Sequence, residues 1–208
     1  MKGYFLALEG PDGSGKSTIA KLLKEKLEED YKRPTVLTRE PGGTKIGEEI
    51  RSILLSTDNM EMANRTEALL YAASRAQHVE EKILPLVKEN NIVISDRYLV
   101  SSLAYQGFSR GLGLKEVMDI NLFAINGFYP DRIIFFDLDS NLGLKRKFAQ
   151  KEGDRLEIAG EDFHKQVYLG YKEAIKKYPA KVKIIDASAS IDQVLKSCLE
   201  IIKEDLNL

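Results

Sequence analysis

Cysteine and histidine are scarce in this sequence of 208 residues, which holds one cysteine, Cys198, and two histidines, His78 and His164. A single thiol excludes an internal disulfide and agrees with a reducing compartment. Two imidazoles argue against a histidine-built zinc centre. An excess of charge of one sign is missing too, with 31 Lys+Arg against 32 Asp+Glu and a formal net charge of -1. That balance supplies no electrostatic footprint for a nucleic acid or an anionic membrane as partner. No apolar run approaches the ~20 residues that span a bilayer. The opening Met1-Lys2-Gly3-Tyr4-Phe5 continues to Glu9 with no secretory pattern. The expectation is a soluble cytoplasmic protein whose 43% apolar residues suffice for a core.

What is present is a regular alternation. Five short apolar runs stand out: Tyr4 to Leu8, Thr35 to Thr38, Ile92 to Ser95, Ile133 to Phe136 and Val182 to Ile185. Their apolar character is nearly continuous, as in strands covered by helices on both faces. Between them lie helical patterns. Ile19, Leu22, Leu23 and Leu27 recur at helical spacing, as do Leu69, Leu70, Ala73 and Ala76 in a segment that Pro85 should kink or end. Asp192 to Leu206 reads as a last helix, with Cys198 as a small buried hydrophobe. The pattern predicts one α/β domain over 1–208, a doubly wound five-stranded parallel sheet with helices on both faces. Pro41-Gly42-Gly43-Thr44 and Gln150-Lys151-Glu152-Gly153-Asp154 read as loops past the carboxyl ends of strands, where open α/β sheets place ligands.

One such junction carries a specific motif. Gly10-Pro11-Asp12-Gly13-Ser14-Gly15-Lys16-Ser17 fits the P-loop pattern, with an apolar strand before it and an amphipathic helix from Lys16. Glycines let the backbone wrap so that several N–H groups meet one set of phosphate oxygens, and the helix adds its positive end. Lys16 is expected to reach the transferred phosphate, and the Ser17 hydroxyl to ligate Mg²⁺. A P-loop implies a nucleoside triphosphate but not a reaction. The Asn-Lys-x-Asp guanine reader of signalling GTPases is absent.

Four further segments make the chain resemble bacterial-type thymidylate kinases. They are Arg39-Glu40-Pro41-Gly42-Gly43-Thr44, Gly47-Glu48-Glu49-Ile50-Arg51, the stretch Thr66 to Arg75, and Asp96-Arg97-Tyr98 running on to Ser101 through Gly107. The resemblance implies a P-loop kinase fold and transfer of the γ-phosphoryl of ATP to dTMP, giving dTDP and ADP, with Mg²⁺ and as a homodimer. By the family pattern Asp96 takes an outer place around Mg²⁺, and Arg97 and Arg51 meet the acceptor phosphate. Tyr71 stacks on thymine, and Arg75 reaches a thymine carbonyl. Ser102 and Gln106 bond the base, Tyr105 crowds the ribose 2′ position, and Asp12 lies near the sugar hydroxyl. Read from the residues alone, blander roles remain open. Asp96 is then a helix cap, Arg97 a structural ion pair and Arg51 a solvated charge. Tyr71 is core, Arg75 a helix-surface charge, Ser102 and Gln106 members of a turn, and Asp12 a turn former. Pro41 is a candidate for a cis peptide.

Some members of the family place an arginine inside the P-loop, where this chain has Gly13 and Ser14. The chain therefore resembles the subgroup that supplies cations from a lid, here at about 144–160. Lys145, Arg146, Lys147, Lys151 and Arg155 cluster there. Arg155 is the first expectation for the catalytic lid arginine and Arg146 the second. Two rival readings are another P-loop kinase with a different acceptor and a non-catalytic nucleotide-binding module. The acceptor-side arginines would have no role in the latter.

Overall fold

In the computed structural model, residues 2–139, 142, 143, 146, 155, 156, 158 and 160–208 are described. The five apolar runs form strands β1 (Tyr4–Glu9), β2 (Thr35–Arg39), β3 (Ile92–Asp96), β4 (Arg132–Asp137) and β5 (Val182–Asp186). Each continues one residue past its apolar run, to a charged side chain at the carboxyl end. All pairings are parallel, in the order β2-β3-β1-β4-β5. Chain order therefore reverses at β1, and the crevice above that strand is where such sheets bind ligands.

The helices are α1 (Lys16–Glu29), α2 (Lys45–Leu55), α3 (Asn64–His78), α4 (Leu84–Lys88), α5 (Leu99–Ser102), α6 (Leu114–Ile125), α7 (Glu161–Ile175) and α8 (Ile191–Leu206). Two cores flank the sheet. Tyr4, Leu6 and Leu8 of β1 pack against Ile19, Leu23 and Leu27 of α1 and Val194, Cys198 and Ile202 of α8. Phe5 and Ala7 face the other way, among Tyr98, Leu103 and Tyr171. The strand's period of two thus assigns alternate residues to the two cores, and each fully buried Leu contributes about 1.5–3 kcal/mol. Among the described residues, no helix is long and apolar enough to cross a membrane.

Two local expectations need correction. Pro85 does not end its segment, because a π turn over Val79–Ile83 precedes it and α4 runs on to Lys88 with Pro85 in its first turn. The missing N–H of proline is tolerated there. Ser102, Tyr105 and Gln106 do not form a turn but lie on α5 and a π-helical continuation over Leu103–Ser109. Leu99, Val100, Leu103 and Ala104 are all buried there, so an apolar stripe drives the segment into a helix. The loop expected at 150–154 lies outside the described residues.

The carboxyl-terminal helix is tied back to the amino ends of two inner strands, β1 and β4. Asp205 accepts from Tyr4 Oη at 2.5 Å and from Arg132 Nε at 2.8 Å. The Arg132 contact, against the cost of burial, holds the Asp205 carboxyl below its ordinary value. A depressed carboxyl pKa adds stability above the ordinary carboxylate range and loses it as pH falls through the folded-state value. Asp205→Asn is therefore expected to lower the unfolding free energy by about 1 kcal/mol near pH 7. In urea titrations the difference from wild type should shrink as pH falls into the acid range, and a constant difference would contradict the tie.

Candidate active site

The glycine-rich turn joins β1 to α1 as its spacing requires. Gly10 and Gly15 adopt φ of +144° and +85°, and a Cβ on Gly10 would stand 2.7 Å from the Phe136 carbonyl oxygen. Helix α1 starts with no side-chain cap and no acidic residue in its first turn, so its N–H groups and positive end face the turn. Lys16 is buried there, and Nζ donates to the carbonyls of Gly10 (2.9 Å) and Pro11 (2.8 Å) and to Ser14 Oγ (3.1 Å). Burial, helped by the charge of Arg97, lowers its pKa to about 8. Ser17 Oγ donates to Asp96 Oδ2 at 2.5 Å. A hydroxyl beside a carboxylate is a hard oxygen pair whose chemistry suits Mg²⁺.

A second cavity, about 110 Å³, lies on the α3 and α5 side of β1. It is lined by Asp12, Arg51, Tyr71, Arg75, Arg97, Ser102, Tyr105 and Gln106, among others. All eight sequence candidates for the acceptor are thus gathered in one place. Asp12, Glu40, Arg51 and Arg97 also line the larger cavity along Asp12 to Thr18, so the two cavities share a wall.

Arg97 holds that wall together. Its φ of +73° is in the left-handed region, which costs a non-glycine residue about 1–3 kcal/mol. From there its guanidinium donates to the Gly10 carbonyl (3.0 Å), Asp12 Oδ1 (2.6 Å), Ser101 Oγ (3.2 Å) and the Tyr171 hydroxyl. It also lies 5.3 Å from the Tyr105 ring centre. Arg51 NH1 donates to the carbonyl of Pro41, whose peptide with Glu40 is cis. Behind the wall, Glu9 accepts from the Tyr98 N–H (2.9 Å) and the Ser101 hydroxyl (2.5 Å), and burial pushes its carboxyl up.

Arg75 is neither on the surface nor free. It is 1% exposed and donates to Glu40 Oε2 (2.7 Å), Ser102 Oγ (3.0 Å), the Tyr98 carbonyl (3.0 Å) and Asn121. The reading of Arg75 as a helix-surface charge fails because α3 packs against both α2 and α6. Tyr71 is half-buried on the cavity wall.

The lid candidates separate. Arg146 lines the P-loop cavity, and its NH1 donates to the Ala187 carbonyl at 3.2 Å. Arg155 does not line that cavity. It is buried elsewhere, with Nε on the Leu54 carbonyl (2.8 Å) and NH2 on Glu67 Oε2 (2.7 Å). Its placement follows from Glu67, a fully buried carboxylate that needs a cation. Lys145, Lys147 and Lys151 lie outside the described residues.

Several residues here went unassigned in the sequence. Glu40 and Glu67 sit inside the resembling segments, yet nothing local marks them as buried. Asn121 interrupts the buried stripe Val117, Ala124 and Ile125 of α6, which is a readable signal for a polar contact. Tyr171 carries no local signal, since its partners Arg97 and Ser101 are far away in the chain.

Against known proteins, the family model described as Thymidylate kinase matches residues 8–198. A thymidylate kinase from Finegoldia magna is 54% identical over 200 residues, covering 96% of this chain and 97% of that protein. One from Clostridium novyi is 48% identical over 197 residues, with 94% and 96% covered. One from a Geobacillus species is 47% identical over 208 residues, with 99% of each covered.

Removing the Arg75 side chain would take the guanidinium from the buried Glu40 carboxylate and leave His78 Nδ1, at 3.0 Å, as its remaining side-chain partner. Arg75→Ala is expected to lower the unfolding free energy by about 3 kcal/mol or more, read by urea denaturation. A loss below about 1 kcal/mol would mean that the pair is not a structural necessity.

Proposed function

The chain belongs to the thymidylate kinase family, nucleoside monophosphate kinases that pass the γ-phosphoryl of ATP to dTMP, and we propose how its residues divide that work. The P-loop, Gly10 through Ser17, wraps the donor phosphates, and Lys16 follows the group in transfer. Its pKa near 8 leaves it mostly charged at neutral pH, and the phosphates raise it further. Ser17 and Asp96 would hold Mg²⁺, which would supply charge neutralisation at the phosphates. Arg97 and Arg51, on the wall common to both cavities, take the acceptor phosphate with planar forks of donors. Asp12 and Tyr105 meet the sugar, and the Tyr105 ring leaves no room for a 2′-hydroxyl. Tyr71 stacks on the base, while Arg75, Ser102 and Gln106 read its edge.

Arg75 can do this because its surroundings use four of its five N–H groups. The remaining NH2 hydrogen is a donor for a base carbonyl. Arg146 rather than Arg155 supplies lid charge to the phosphates, since it alone of the two lines the donor cavity. Ile53, Leu69, Leu122 and Phe123, the last 90% exposed, lie on α2, α3 and α6 and support a homodimer through those helices. A cytoplasmic location fits a free thiol and these substrates.

The observation that carries this reading is the shared wall. Two anion-binding cavities that meet at Arg97 and Arg51 bring a donor and an acceptor phosphate together without covalent chemistry by the protein. Incubation with ATP, Mg²⁺ and dTMP, dUMP, dCMP, UMP or AMP should give the fastest diphosphate formation with dTMP. A preference for AMP or dCMP would overturn the assignment of the acceptor. Arg146→Ala is expected to lower kcat about 100-fold with little change in KM. Wild-type turnover in that variant would return the lid role to Arg155.

A further inference from the structure

Gln106 is built into a network whose polarity decides what the acceptor cavity can read. Its Nε2 donates to Glu67 Oε1 at 3.0 Å. That is the one side-chain hydrogen bond Gln106 makes among the described residues, and the side chain, 1% exposed, lines the cavity. Glu67, in the first turn of α3, is fully buried. Arg155 donates to its Oε2 at 2.7 Å, and Arg110 reaches both oxygens, at 3.2 and 3.3 Å. Burial opposes the ionised form of Glu67. The hydrogen bond from Gln106 and the two guanidiniums outweigh it, and the carboxyl stays below its ordinary value.

An ionised carboxylate has acceptors only. The Gln106 amide therefore has one orientation open to it, with NH₂ towards Glu67 and the carbonyl oxygen towards the cavity. A glutamine facing a neutral partner could turn over and offer an N–H instead, because its two ends are alike in size. Facing Glu67, it would then set two oxygens against each other at a buried contact.

We infer that Glu67 is a specificity-determining positioning residue, holding Gln106 with its carbonyl oxygen towards the base so that the cavity takes a pyrimidine protonated at N3. This rests on the acceptor reading above. Thymine and uracil carry that N–H, whereas cytosine presents a bare ring nitrogen there and an amino group beside it. Against cytosine the Gln106 carbonyl meets a lone pair, and the free N–H of Arg75 meets another donor. Rejection of that kind leaves buried polar groups unpaired and is far stronger than rejection by size. Arg110 and Arg155 act through the same carboxylate, keeping it charged and fixed.

The test compares kcat/KM for dTMP with that for dCMP in wild type, Glu67→Gln and Glu67→Asp. A glutamine in place of Glu67 can donate or accept, so Gln106 is released to turn over. The dTMP/dCMP ratio is expected to fall at least about tenfold in Glu67→Gln, an energy difference of about 1.4 kcal/mol. Glu67→Asp, which keeps an acceptor-only partner, should retain most of the ratio. A purely structural role would lower both substrates alike, and an unchanged ratio in a folded Glu67→Gln overturns the inference. Should that variant not fold, Gln106→Leu decides in its place: a tenfold fall upholds the inference and an unchanged ratio overturns it. If wild type itself shows no preference for dTMP, the acceptor reading fails before Glu67 is in question.

Discussion

One guanidinium joins the two halves of this molecule. Arg97 touches the P-loop through the Gly10 carbonyl and Asp12, and touches α5 and α7 through Ser101 and Tyr171. It does so from a left-handed backbone at the carboxyl end of β3, a conformation that costs energy and persists because four partners over-determine it. It lies on the wall common to the two cavities. In-line phosphoryl transfer depends on the positioning of two phosphates more than on any reactive group.

The acceptor side is built from buried charge. Glu40, Glu67, Arg75 and Arg155 are each under 5% exposed, and every one has an ionic partner within the set. Burying an ion costs several kcal/mol, so such pairs add little net stability and cannot lose a member cheaply. Their value lies in orientation. Glu40 accepts from Arg75 and Glu67 from Gln106, so two polar side chains that line the cavity are held by buried carboxylates before a ligand arrives. Preorganisation of this kind converts a polar pocket into a selective one.

Much of the fold was legible because its signals are local. Continuous apolar runs at Tyr4 to Leu8 and Ile133 to Phe136 announce strands buried on both faces, and the structure extends each by one or two residues. The P-loop is equally local, since eight adjacent residues carry their own backbone geometry. Reading failed where two elements compete for a residue. Ser102, Tyr105 and Gln106 followed a motif that suggested a turn, but the apolar stripe beside them had a core to bury and drew the segment into a helix. Arg75 looked like a surface charge because nothing in α3 alone reveals that α2 and α6 cover it.

Fold class, phosphate cradle and acceptor candidates are thus properties of the chain as written, because each depends on neighbours in sequence or on periodicity. Which of Arg146 and Arg155 lines the P-loop cavity, which carboxylate pairs with which cation, and the shared wall between the cavities are decided only in three dimensions. These depend on contacts between residues tens of positions apart, such as Glu67 with Arg155 and Arg97 with Tyr171. A buried charge takes whichever partner packing brings to it. No spacing along the chain specifies that choice.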